Sequence, residues 1–306
     1  PYNSFSLTHK QCSPGIADSF LFRLILVSLL MVACSGCGLY TRVAVDLGSP
    51  VVDRMRDSFN DNCDIAIVKE SLPFTLAGIT GLIDTSPNNK TFLINGSNAY
   101  FAYAFAFVEH GDVVRARGMY LKARDYGMRA LFGKKYQEKI DLPLEEFEAE
   151  VKEIRKKQVP ALFWATLSWL NYIRLNLGDL GTYVEVPRAE LMARRLLELD
   201  ETYYFGTPHA IMACYYAAQP DISGGDPVKA KEHFEKAIEI SEEKFMVHYL
   251  LYAQFYAVRQ QDKELYVKLL THIRQAPENI LPGQCAATNM CKMRAWRYLK
   301  DVDSQF

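Results

Sequence analysis

The chain has 306 residues, a net charge of −1, 49% hydrophobic and 23% charged residues. That composition suits a packed globular protein and excludes a disordered, highly charged chain. The near-zero charge also excludes the broad basic footprint of a nucleic-acid-binding protein, and nucleic acid is not expected as a partner.

The first informative segment is the apolar run from Phe20 to Ala33, which stops at Cys34-Ser35-Gly36-Cys37. A helix of roughly 14 residues reaches only about 20 Å, short of the roughly 30 Å of a bilayer core. With Lys10 and Arg23 before and within it and small residues after it, the run reads as a signal peptide. A cysteine directly after small residues is the bacterial lipoprotein pattern, in which the thiol is acylated and becomes the new N-terminus. Cys37, preceded by Ser35 and Gly36, fits best; Cys34, preceded by Met31, Val32 and Ala33, is the alternative. The expected organisation is a signal peptide over 1–36, a tether over 37–50 and a helical domain over 51–306. No later apolar run is expected to approach membrane length; the lengthiest candidates, such as Ala161–Leu177, are interrupted by Ser168, Asn171 and Arg174. An exported compartment permits disulfides. Cys285 and Cys291 are near enough in sequence to pair, whereas Cys63 and Cys214 read as small core residues.

Past the leader, apolar residues recur at three- and four-residue spacings, separated by helix stop and start signals. Helices are predicted over 64–83, 90–109, 113–131, 144–157, 160–177 and 187–199, then over 208–218, 227–241, 243–260, 263–275 and 286–299. Pro187 and Pro227 fall at first turns, and Asp112 and Asp226 sit where N-caps belong. Glutamates open and lysines and Arg155 close the 144–157 segment, the order the helix dipole favours on a solvated face. Short connections make consecutive helices antiparallel neighbours.

A repeat follows from small residues at fixed positions. Ala116, Tyr120 and Ala123 recur at identical spacing as Ala230, Phe234 and Ala237. In tetratricopeptide (TPR) helix pairs, small residues at these places allow close approach and the large one fills the groove. Tyr100, Tyr103, Ala104 and Phe107 stand in register on the partner helix of the first copy. The predicted fold class is therefore all-α, with TPR-like helix pairs stacked into a curved or toroidal body that has a central cleft.

The order of several blocks resembles the T component of TRAP (tripartite ATP-independent periplasmic) transporters. The blocks are Glu109-His110-Gly111-Asp112 with Arg115-Ala116-Arg117, Ala161-Leu162-Phe163-Trp164, Gly206-Thr207-Pro208-His209, Gly224-Gly225-Asp226-Pro227 and Tyr252-Ala253. The resemblance implies a periplasmic lipoprotein on a bacterial membrane and a homotrimer. It further implies an accessory that assists a TRAP-type solute-binding protein and permease with a small or hydrophobic ligand, and a cleft through each subunit. The alternative is a TPR scaffold lipoprotein that assembles envelope complexes without handling ligand.

The sequence supplies no convincing motif for catalysis, so neither enzyme activity nor a catalytic residue is expected. Gly224-Gly225-Asp226-Pro227 lacks the Gly-Lys-Ser/Thr of a phosphate loop and reads as a turn and helix start. Ser241-Glu242-Glu243-Lys244 has a hydrolase-like spacing without its companion motifs and reads as a cap or turn. No histidine has a zinc-type spacing, so neither metal nor cofactor is expected. The chain carries 18 tyrosines. A tyrosine hydroxyl needs a polar partner, so a surplus on inward-facing helices points to a polar-lined cleft. Tyr100, Tyr103, Trp164, Tyr172, Tyr204, Tyr215 and Tyr252 are the candidate cleft residues. Arg174, alone in an apolar run, reads either as the structural partner of a carboxylate or as the clamp of an anionic ligand.

Overall fold

The computed structural model describes residue 41, residues 43–220 and residues 224–306. Cys34, Cys37 and the leader lie outside the described residues, as do Asp221, Ile222 and Ser223. The chain divides into two compact units, Pro1–Leu47 and Gly48–Phe306. Of the first unit, only residues 41 and 43–47 are described, and these are helical.

Among the described residues of the second unit, every regular element is helical. The chain order is α1 (Ser49–Asp61), α2 (Ile65–Thr85), α3 (Lys90–Tyr103), α4 (Val113–Phe132), α5 (Tyr136–Ile140), α6 (Leu144–Lys152) and α7 (Val159–Arg174). It continues with α8 (Leu180–Tyr183), α9 (Val186–Leu199), α10 (Tyr203–Ala218), α11 (Pro227–Ile240), α12 (Met246–Leu251), α13 (Lys263–Gln275) and α14 (Cys285–Lys300).

Aspartates and asparagines start many of these helices by accepting hydrogen bonds from free backbone N–H groups. Asp64 caps α2, Asn89 caps α3, Asp112 caps α4, Asp226 caps α11 and Asp262 caps α13. Pro160, Pro187 and Pro227 occupy first turns, where a missing N–H costs nothing. Both alanine–aromatic–alanine trios are fully buried, Ala116, Tyr120 and Ala123 on α4 and Ala230, Phe234 and Ala237 on α11. Gly127 permits a close helix crossing: a Cβ there would lie 2.7 Å from the Ala165 backbone nitrogen, so α4 and α7 meet over a glycine.

Several elements differ from the periodicity reading. Two predicted helices end in π-helical turns, Ala104–Val108 after α3 and Tyr252–Ala257 after α12. Each π turn is followed by the capping aspartate of the next helix. The extra residue per turn leaves no trace in a three- and four-residue pattern. At the start of α10, Tyr204, Phe205 and Gly206 adopt left-handed backbone with φ of 47, 65 and 83°. The charged 144–157 segment is helical only to Lys152 before a 3₁₀ turn at Lys156–Gln158. The segment Ser49–Asp61, read partly as tether, is helical.

The cysteine pairing is corrected. Cys285 bonds to Cys63, 222 positions away, and Cys291 is free and buried. Cys285 and Cys291 share α14 six residues apart, about 9 Å along the axis and on different faces, too far for a bridge. Cys63 is thus a cross-link, not a core filler. It joins the turn between α1 and α2 to the start of α14. Asn289 Nδ2 donates to the Cys63 carbonyl at 2.8 Å, and the Gly283 N–H donates to Asp61 at 3.2 Å.

Helix α2, with 21 residues, is long and apolar enough, by length and composition, to cross a membrane, which corrects the expectation that no later apolar run approaches that length. In the fold it packs on α3 and supplies Leu72, Phe74 and Ile79 to the wall of a large cavity. Burial accounts for one face of it, Val68, Leu72, Leu76, Ile79 and Ile83, while Ile67 and Phe74 are exposed.

Candidate functional site

The cavity lies within the second unit and has a volume of about 1040 Å³. Drug-sized ligands occupy cavities of roughly 300–1,000 Å³, so this one takes a sizeable organic molecule. Most of its wall is apolar: Met55 and Phe59 from α1, Phe101 from α3, Trp164 and Leu167 from α7, Ile211 from α10 and Met290 from α14. Both π turns contribute, through Phe105 and Phe107 from the first and Gln254 and Phe255 from the second.

The polar part of the wall centres on Glu109, which follows the first π turn and is 8% exposed. Three donors converge on its carboxylate. The Tyr120 hydroxyl donates to Oε2 at 2.7 Å, Arg174 Nη2 donates to Oε2 at 2.6 Å, and Arg294 Nη2 donates to Oε1 at 2.8 Å. Burial alone would raise the Glu109 carboxyl, but the two guanidiniums and the tyrosine outweigh it and hold the pKa below its ordinary value. Glu109 is therefore ionised at neutral pH. Tyr120 is pushed well above its usual value by burial and by the adjacent carboxylate.

A second polar chain adjoins the first. Gln254 Nε2 donates to Tyr298 Oη at 2.6 Å, and Tyr298 Oη lies 3.3 Å from His110 Nε2. Burial and the Arg294 charge depress His110 to about 4, so its ring is neutral at pH 7. Arg294 is 1% exposed, its guanidinium carbon lies 4.1 Å from the centre of the Phe105 ring, and its Nη2 also reaches the Phe105 carbonyl. Its Nε and Nη1 have no acceptor.

Of the residues singled out from the sequence, Trp164, Arg174, Tyr204 and Tyr215 line this cavity. Tyr204 sits in the left-handed turn opening α10, with its ring 5.2 Å from Phe163 and 5.5 Å from Trp164. Burial raises its hydroxyl to about 12. The Tyr215 hydroxyl donates to Glu190 at 2.6 Å. Tyr100, Tyr103, Tyr172 and Tyr252 sit elsewhere. Tyr100 meets Thr80 and packs on Tyr126; Tyr103 packs on Phe107. Tyr172 lies under Arg124, and Tyr252 stacks on Phe234 at 4.8 Å.

Sequence reasoning did not name Glu109, His110, Gln254 or Arg294 as site residues. Glu109 had one available signal, a lone acid ending a long apolar run. Arg294 had none, because it reaches Glu109 across 185 positions. Among the described residues no group of three or more His, Cys, Asp or Glu could hold a metal ion. The arrangement can do two things chemically: enclose an apolar body and present guanidinium and neutral hydrogen-bonding groups to one end of it.

A family model described as "TRAP transporter T-component" matches residues 61–306. An uncharacterised protein of Treponema pallidum (strain Nichols) is 23% identical over 214 residues, 64% of this chain and 66% of that protein. The match to this curated relative thus spans just under two thirds of its length. The family match covers the whole cavity-bearing unit from the end of α1 onward, and the chain belongs to the T-component family of TRAP transporters.

Proposed function

We propose that the chain is a lipid-anchored periplasmic accessory of a TRAP-type uptake system, acylated at Cys37 or, failing that, at Cys34. In this reading its second unit docks the solute-binding protein and holds a small or hydrophobic ligand during transfer. Its helix pairs stack as TPR-like repeats, and it works as a homotrimer without catalysing a reaction.

The observation that carries the ligand-handling part is the apolar cavity of about 1040 Å³. A protein that only scaffolds has no need of an apolar cleft of that size, whereas a ligand seated in it gains dispersion contacts along the wall. The Cys63–Cys285 bond supports an exported location, because disulfides persist in oxidising compartments. The buried alanine trios on α4 and α11 support the repeat reading.

Pull-down from solubilised envelopes tests the partner. The tagged full chain is expected to retain a TRAP-type solute-binding protein. Recovery of other envelope proteins without it, under conditions that keep lipoprotein complexes intact, favours the general scaffold reading. Mass spectrometry of the mature protein tests the anchor: a diacylated or triacylated N-terminal cysteine is expected.

A further inference from the structure

The charges beside the cavity do not balance. One carboxylate, Glu109, faces two guanidiniums, Arg174 and Arg294. The charged groups acting most on the neighbouring His110 are these three and Arg297, a further cation. His110 itself is neutral at pH 7. The excess is positive, and it lies where water is scarce. Arg294 is 1% exposed, and two of its nitrogens have no acceptor. An uncompensated buried charge is costly, and an anion brought against it relieves that cost.

The geometry also says where an anion would sit. Arg174 lines the cavity, and its side chain is 31% exposed. Its Nη2 and Nε are taken up by Glu109 and Asn171. Its Nη1 makes no hydrogen bond to the described protein, so one donor edge of the guanidinium is free. Arg294 lies behind the wall, one and two turns along α14 from Met290 and Ala287, which line the cavity, and does not itself line it. Glu109, Phe105 and Gln254 complete the same polar end. The rest of the cavity is hydrocarbon and aromatic.

We infer that the cavity takes amphiphiles bearing a single acidic head group, with the acid against Arg174, the charge of Arg294 behind the wall adding to the attraction, and the apolar body along the wall made by α1, α2, α7 and α10. The inference rests on the reading of the cavity as a ligand chamber. It goes further by assigning the ligand's charge and its direction in the chamber.

Calorimetric titration of the full chain with three probes of equal chain length separates the two claims. The probes are dodecanoate, 1-dodecanol and dodecyltrimethylammonium, each below its micellar concentration. Dodecanoate is expected to bind about ten- to a hundred-fold more tightly than dodecanol, the range a charge-assisted hydrogen bond supplies, and the cation most weakly. Arg174→Gln is expected to remove most of that preference, lowering dodecanoate affinity far more than dodecanol affinity, and an unchanged helical circular dichroism spectrum shows that the variant is folded. Glu109→Gln raises the positive excess and is expected to tighten dodecanoate. Equal affinity for dodecanoate and dodecanol, or an equal loss of both in Arg174→Gln, would overturn the acidic-head assignment and leave an apolar chamber. Binding of none of the three would remove the chamber reading and this inference with it.

Discussion

Glu109 is the residue on which the polar end of the cavity depends. Its carboxylate is the shared acceptor of Arg174, Arg294 and Tyr120, and removing one member of a buried ionic set leaves the others uncompensated. Glu109→Gln is expected to lower unfolding stability by about 3 kcal/mol, read by urea denaturation at neutral pH. His248 gives a pH signature at the same scale. It is fully buried, within reach of Thr207 and Ser241, and burial depresses its imidazole to about 3. Between its folded value and the unfolded value near 6.5, the unfolded chain binds the additional proton, so stability falls as pH falls. From pH 7.5 to pH 5 this one group removes about 2 kcal/mol. Urea midpoints measured across that range should show the loss, and His248→Leu should reduce its slope.

At the scale of elements, the cavity is shaped by departures from regular helix. The two π turns bring Phe105 and Gln254 to its wall, and the left-handed turn at Tyr204–Gly206 brings Tyr204 there. Left-handed backbone at two aromatic residues costs of order 1–3 kcal/mol each, and ring contacts to Phe163, Trp164 and Phe245 offset it. Gly206 is required at the third position. Its φ is +83°, and a Cβ would lie 2.8 Å from Ile240 Cβ. Gly206→Ala is expected to cost about 3 kcal/mol or more in urea unfolding and to loosen the packing of α10 on α11. The helices themselves were legible because Asp, Asn and Pro punctuate them by local chemistry, as at Asn89, Asp112 and Pro227. The π turns and the left-handed turn were not, since tertiary contacts stabilise them against local preference. The same distinction explains the site. Arg174 stood out as a charge in an apolar run, and the tyrosine surplus pointed to a cleft. Which tyrosines face the cavity depends on helix rotation, and that placed Tyr204 and Tyr215 in the wall and Tyr252 against Phe234.

At the scale of the whole molecule, the Cys63–Cys285 bond ties the first helices of the second unit to the last. Bridging residues 222 positions apart restricts the unfolded chain strongly, and a loss of about 2–4 kcal/mol is expected for Cys63→Ser with Cys285→Ser. The wild-type protein under reducing conditions should match the double variant in thermal unfolding; an unchanged melting temperature in both would show that the bond adds nothing. Helices α1, α2 and α14 all contribute to the cavity wall, so the cross-link also holds together walls drawn from distant parts of the sequence. The first and last helices of the second unit thus form parts of one cavity wall that no single helix pair could supply.

The central claim is that this chamber holds a ligand, and titration with N-phenyl-1-naphthylamine, an uncharged fluorophore that brightens in apolar surroundings, tests it most directly. One saturable site per chain is expected, displaced by 1-dodecanol. Binding should weaken by about tenfold or more in Gly78→Trp, which places bulk at a wall position with open space before it. Absence of a saturable signal, or binding that Gly78→Trp leaves untouched, would contradict the account.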